Sequence, residues 1–191
     1  MAVPGRPATP PAALDAIVGD LIARIPAPVS LSPGPWPVPH GRAGVGDEAL
    51  RAMLADDWAG TRMSAAKLRK LIDTQLVSRH RELGADHPEG RDLGISADGD
   101  PVGRLLLDLD DDHPADAPAV GPDGDVDQHD RQRQGIGGQV VGALLAAAAA
   151  QSHAVRATGV YGSSSLAWLL GLGLVDVGGD ALFRQLLWTG A

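Results

Sequence analysis

Gln132-Arg133-Gln134-Gly135-Ile136-Gly137 stands directly before Gly138-Gln139-Val140-Val141-Gly142-Ala143-Leu144-Leu145. A phosphate group needs backbone N–H donors that converge with no side chains in the way, and a helix N-terminus adds a dipole of about half a charge. Gly135, Gly137 and Gly138 provide room for such an approach, and Val140, Val141, Leu144 and Leu145 fall at helical spacing. The spacing predicts a helix from about Gly137 to Ser152. Taken alone, a glycine-rich turn into a helix also serves close packing or dinucleotide binding. The dinucleotide pattern Gly-x-Gly-x-x-Gly fails here, because Val140 stands where the third glycine is required. A Walker-type lysine is also missing after the loop.

Downstream of this helix the pattern predicts a strand from Val155 to Tyr161 and a helix from Ser163 to about Leu170. Strands near Leu174 to Val177 and Leu182 to Trp188 follow. Upstream, Asp92 to Ala97 and Val102 to Leu109 read as strands joined by Asp98-Gly99-Asp100-Pro101, a tetrad of hairpin type. Two amphipathic helices precede them. Asp47 can cap the first, which runs to about Gly60 with Leu50, Met53, Leu54 and Trp58 on one side. Ser64 opens the second, which carries Leu68, Leu71, Ile72, Leu76 and Leu83 and stops near Gly84 and Pro88. Residues 1–46 hold ten of the fifteen prolines, so there only Ala12 to Ile25 can make a helix. The chain therefore divides into a proline-rich head, 1–46, with one short helix, and a folded domain, 47–191.

Composition narrows the function classes. A length of 191 residues suits one hydrophobic core better than two. The net charge of −8 opposes nucleic-acid phosphates and anionic lipid headgroups and favours a neutral or cationic small partner. With no cysteine, disulfides, thiolate metal sites and a cysteine nucleophile are excluded. The stretch Met1 to Pro11 is broken by prolines and does not read as a secretory signal, and no apolar run reaches membrane-spanning length, so a cytoplasmic location is expected. The run Asp108, Asp110, Asp111, Asp112 with His113 invites a metal reading, but it lacks the glycine and distal glutamate of a calcium loop and reads as a solvated turn.

Three phrases in order resemble the GNAT N-acetyltransferase family over roughly Asp47 to Trp188. Gln132 to Gly137 fits that family's Gln/Arg-x-x-Gly-x-Gly/Ala motif. Leu172-Gly173-Leu174 with the strand after it is similar to the family's Leu-Gly-Phe turn. Gly99-Asp100-Pro101-Val102-Gly103-Arg104 resembles its second hairpin. The resemblance implies an α/β (α+β) fold with a mixed, mostly antiparallel central sheet, helices on both faces, and a split between the fourth and fifth strands that admits acetyl-coenzyme A. The cofactor-binding residues it implies are Val126, Gln132, Arg133, Gln134, Gly135, Ile136, Gly137 and Gly138. The pyrophosphate would lie on the backbone N–H groups of Gln134 to Gly138, and a backbone N–H of the strand Asp125 to His129 would polarise the acetyl carbonyl.

The activity implied is transfer of the acetyl group to a primary amine by direct attack, with acetyl-coenzyme A as co-substrate and no metal. A small-molecule or peptide amine is the expected partner, without nucleic acid or membrane. A general base must lie within hydrogen-bond reach of the ammonium proton. Asp125 and Asp127 share a strand face with His129, and Asp125 and Asp127 are the catalytic candidates. The family's thiolate-protonating tyrosine is replaced by Leu169, and its asparagine position falls near Ser163. Trp168, beside the tyrosine position, is expected in the core. The alternative reading is a catalytically weakened module of the same fold that binds coenzyme A or a protein partner. Edge pairing near Leu182 to Trp188 would allow a homodimer. The segment Gly121 to His129 is poor in strand-forming residues, so the fourth strand is expected either at Asp125 to Gln128 or upstream at Ala117 to Val120.

Overall fold

The computed structural model describes residues 11–35, 37–38, 44, 47, 51, 55, 63–110, 119–122 and 135–190. Among them are four helices, α1 (Pro11–Arg24), α2 (Ala65–Asp86), α3 (Ile136–Ala150) and α4 (Ser164–Gly171). Seven strands accompany them: β1 (Val29–Pro33), β2 (Arg91–Ala97), β3 (Asp100–Asp110), β4 (Ala119–Pro122), β5 (Ala154–Val160), β6 (Val175–Gly179) and β7 (Phe183–Trp188). The strand order is β1-β2-β3-β4-β5-β7-β6. β1–β2, β3–β4, β5–β7 and β6–β7 pair antiparallel, while β4–β5 pair parallel. This is the mixed, mostly antiparallel sheet that the sequence led us to expect.

By its contacts the chain forms two compact units, residues 25–106 with 124–137, and residues 1–24 with 107–123 and 138–191. In the first, the head contributes more than its short helix. Val29 and Leu31 are buried while Ser30, Ser32 and Pro33 are exposed, and β1 pairs with β2 from Val29↔Ala97 to Pro33↔Leu93. Its proline is tolerated because β1 is an outer strand, where a missing ladder donor costs little. The β2–β3 hairpin closes through Asp98 and Gly99, both at positive φ, 53° and 86°. Asp-Gly is the pair that adopts this two-residue turn with least strain. Ser64 caps α2 through Lys67 N at 3.5 Å, and the helix buries Ile72 and Leu76 with Leu68 and Ala55 packed against them. Residues 47, 51 and 55 are helical, and the rest of the helix expected over Asp47 to Gly60 lies outside the described residues.

The second unit is built on β5. α1 starts with Pro11 and buries Leu14, Ile17, Val18 and Leu21, a spacing of 3, 4 and 7 that sets one apolar stripe on a helix. α3 buries Val140, Val141, Leu144, Leu145, Ala147 and Ala148. It ends in a Schellman closure: His153 N donates to Ala148 O at 2.8 Å, Ser152 N to Ala149 O at 2.9 Å, and Ser152 takes φ 58°. That closure turns the chain straight into β5. On the far side of β5, β7 pairs over six rungs, Val155↔Trp188 to Val160↔Phe183. β6 is therefore the outer strand and β7 is enclosed. The homodimer edge expected at Leu182 to Trp188 is corrected on this point: its backbone groups are occupied by β5 and β6.

Candidate functional site

The helix N-terminus anticipated from the glycine run is present. Gly135 has φ 77°, a left-handed conformation that costs a side-chain-bearing residue energy and glycine almost none. It redirects the chain into α3, whose first turn carries no acidic residue. The first four N–H groups of any α-helix lack partners within the helix, and here they belong to Gly135, Ile136, Gly137 and Gly138. A Cβ built on Gly135 or on Gly138 would meet nothing within 4 Å, so open space lies beside both. Ile136 is buried, anchoring the turn while the neighbouring glycines leave the backbone accessible. Such a terminus suits a phosphate oxyanion. The residues fit a coenzyme A pyrophosphate on this observation: a helix start with open space beside Gly135 and Gly138 and no acidic residue in its first turn.

The second feature is where β4 and β5 part. They share two rungs, Ala119↔Ala154 and Val120↔Val155. From Arg156 onward β5 continues with β7 on one side while its other side has no paired strand among the described residues. Beyond these two rungs the backbone groups on that side of β5 have no strand partner among the described residues, and a ligand with amide groups can satisfy such groups.

Of the fourth-strand alternatives, the described strand is the upstream one, at Ala119–Pro122. Asp125, Val126, Asp127 and His129 lie outside the described residues, as do Gln132, Arg133 and Gln134. Gly135, Ile136, Gly137 and Gly138 are brought together at the start of α3. At the family's tyrosine position, Leu169 is buried. Ser163 is the N-cap of α4, accepting from Leu166 N at 3.1 Å and meeting Ser165 Oγ at 2.9 Å. Trp168 departs from expectation. It is 37% exposed rather than core, because Leu166 and Leu169 take the buried side of this short helix. Tyr161 is 69% exposed in the turn after β5.

A buried polar cluster went unanticipated. His80 Nε2 lies 2.9 Å from Asp47 Oδ1, and Gly44 N donates to Asp47 Oδ2 at 2.5 Å. Arg104 Nε donates to Asp92 Oδ1 at 2.5 Å, and Arg104 Nη1 is 3.9 Å from Asp47 Oδ1. All four side chains are buried. Burial pushes the Asp47 carboxyl up, but the hydrogen bonds from His80 and Gly44 and the charges around it outweigh this and hold it below the usual range. Burial also pushes Asp92 up, and there it prevails over the bond to Arg104. A Cβ on Gly44 would sit 3.0 Å from His80 Nε2, so glycine at 44 allows the approach. The signal in sequence was slight: Asp92 and Arg104 are charges inside otherwise apolar strands. Among the described residues no group of three or more His, Asp or Glu is placed to hold a metal ion. No described helix is long and apolar enough to cross a membrane.

No family model and no curated relative matches the sequence. Solved structures do match. FdhC, a nucleotide-linked sugar GNAT, is 12% identical over 84% of this chain and 86% of its own, with a TM-score of 0.53. RimL, a ribosomal alpha-N-protein acetyltransferase in complex with coenzyme A, is 11% identical over 86% and 96%, TM-score 0.55. An acetyltransferase from Thermus thermophilus is 17% identical over 83% and 96%, TM-score 0.54. At such identities the likeness is one of fold, and the chain has the fold of the GNAT acetyltransferases.

Proposed function

We propose that this protein is an acetyl-coenzyme A dependent N-acetyltransferase that acts on a primary amine in a ternary complex. The observation that carries the reading is the start of α3, where Gly135 at φ 77° opens a helix whose first donors have no side chain over them at Gly138. The backbone N–H groups of Gln134 to Gly138 would hold the pyrophosphate, with Gln132 and Arg133 leading into the turn. Acetyl-coenzyme A supplies an activated thioester. The chain supplies position and a proton path.

In that reading the N–H of Val126 donates to the acetyl carbonyl and favours the charge that develops on its oxygen. Asp125 or Asp127 takes the proton of the acceptor ammonium, directly or through one water. The amine nitrogen then attacks the carbonyl carbon, a C–N bond forms, the C–S bond breaks and the thiolate leaves, while the nitrogen gives up its second proton to solvent. A buried Leu169 at the family's tyrosine position offers no proton to that thiolate. A thiol with a pKa of about 8.5 departs tolerably as the anion and takes a proton from solvent.

The buried Leu169 equally favours a second reading, in which the fold binds coenzyme A without turning it over. Calorimetric titration with acetyl-coenzyme A, coenzyme A and NAD tests the site. Coenzyme A binding without NAD binding is expected, and its absence sinks both readings. Thiol release across a panel of amines separates them, since a catalyst releases thiol and a binding module does not. Gly137→Glu puts a carboxylate at the helix start and is expected to weaken coenzyme A binding at least about a hundredfold. Unchanged binding would show the loop assignment to be wrong.

A further inference from the structure

The sheet surface beside the split carries polar groups that the foregoing site does not use. β5 and β7 are in register at Arg156↔Leu187 and Thr158↔Gln185, so these four side chains share one face of the sheet. The opposite face is taken by α4, because a Cβ on Gly159 would meet Leu166 of that helix at 3.0 Å. Arg156 is the first β5 residue past the last rung shared with β4. Its Nε is buried and has no hydrogen-bond partner among the described residues. Two residues on, Thr158 and Gln185 are exposed, their side chains 3.3 Å apart through Oγ1 and Oε1.

The charge pattern on this face runs against that of the chain. The net charge is −8, yet Arg156, Thr158, Leu187, Gln185, Phe183 and Val175 bring one cation and no carboxylate. The nearby acids are engaged elsewhere. Asp176 is clasped by Arg184 through two bonds of 2.9 Å, in register with Leu186 and so on the α4 face. Asp180 accepts from the backbone of Leu182 and Phe183 at 2.7 Å each. A desolvated guanidinium N–H without an acceptor is a cost that an anionic ligand removes once the side chain turns toward it, and a carboxylate matches the donor geometry of the guanidinium. Exposed Phe183 and Val175 flank the polar groups with apolar surface.

We infer that this face recognises the acceptor, and that the acceptor carries a carboxylate close to the amine that is acetylated, as a small apolar amino acid does. The inference rests on the acetyltransferase reading and sets its substrate class. Arg156 donates to the carboxylate, the Thr158 hydroxyl donates to Gln185 Oε1 and so holds that amide beside it, and the apolar flank meets the side chain. The general negative charge of the chain then draws the ammonium end while Arg156 takes the other. The expectation from net charge alone, a simple cationic amine, is thereby replaced by a zwitterion.

The test compares L-leucine and L-phenylalanine with their carboxamides in thiol release from acetyl-coenzyme A, using the full chain and Arg156→Gln. The wild type should prefer the free acids at least about tenfold in kcat/KM, and Arg156→Gln should raise KM for the acids about ten- to hundredfold while leaving the amides unchanged. Arg156→Lys should restore part of the preference. Coenzyme A titration of Arg156→Gln should match wild type and so verify that the variant is folded. Equal use of acid and amide by the wild type, or an undiminished preference in Arg156→Gln, overturns the inference and leaves the acetyltransferase reading standing. Failure of the wild type to bind coenzyme A overturns both.

Discussion

Two Arg–Asp pairs, one in each unit, join the same chemical groups under opposite conditions. Arg184 grips Asp176 with both Nε and Nη2 at 2.9 Å, the fork geometry that suits a carboxylate best, in surroundings open to solvent. Arg104 reaches Asp92 through Nε at 2.5 Å, with both side chains buried and Asp92 Oδ2 lacking a hydrogen-bond partner among the described residues. The better geometry belongs to the pair that matters less. Water screens the outer pair and would solvate either member if the other were removed. The inner pair has no such alternative, so losing one partner strands a charge. Geometry alone does not rank ion pairs; the medium does.

The largest effect should come from breaking the inner pair on one side. Arg104→Ala leaves Asp92 buried beside Asp47 without its counter-ion, and a loss of about 3–5 kcal/mol in urea unfolding is expected. Replacing both members, Asp92→Leu with Arg104→Met, should recover most of that loss, since a packed apolar pair avoids desolvating two charges. A double variant as unstable as the single one would show that the cluster holds the hairpin through specific bonds rather than charge balance.

The next effect tests Asp47, which ties residue 44 to His80. Its folded carboxyl is held below the usual range, so its contribution is present above the unfolded value of about 3.9 and fades as pH falls through the folded value. Asp92 has the opposite sign: raised by burial, its contribution is full below the unfolded value and is lost as pH rises through the folded one. Asp47→Asn should therefore cost about 1–3 kcal/mol at neutral pH and much less once the pH has fallen through the lowered folded value, flattening the acid limb of a stability profile. An acid limb identical to that of wild type would assign it to other carboxylates. The smallest effect belongs to the outer pair. Asp176→Asn should leave the melting temperature within experimental scatter and make it less sensitive to salt, as differential scanning calorimetry can check.

Local signals made the start of α3 readable in sequence: Gly135 needs no partner to favour a turn, and Val140, Val141, Leu144 and Leu145 give the helical period without reference to the rest of the chain. The Asp98-Gly99 hairpin was legible for the same reason. β1 was hidden by its prolines, which a position at the edge of the sheet permits. The burial of Asp47, His80, Asp92 and Arg104 was illegible because it joins residues far apart in sequence through a tertiary arrangement that no local period records. β7 reads as a plain apolar strand, and nothing in its residues says that β6 returns outside it. The candidate base residues Asp125 and Asp127 lie where sequence is the whole of the description.

Among the described residues, β5 beyond Val155 is a strand used on one side. Its six rungs to β7 fix its direction and twist, while the side that faced β4 keeps its backbone groups at a fixed repeat of about 6.6 Å, the span of two strand residues. Such an edge is a ruler already cut. A guest with peptide-like amides at that interval would be measured against it rung by rung, and one with the wrong interval would lose every bond after the first.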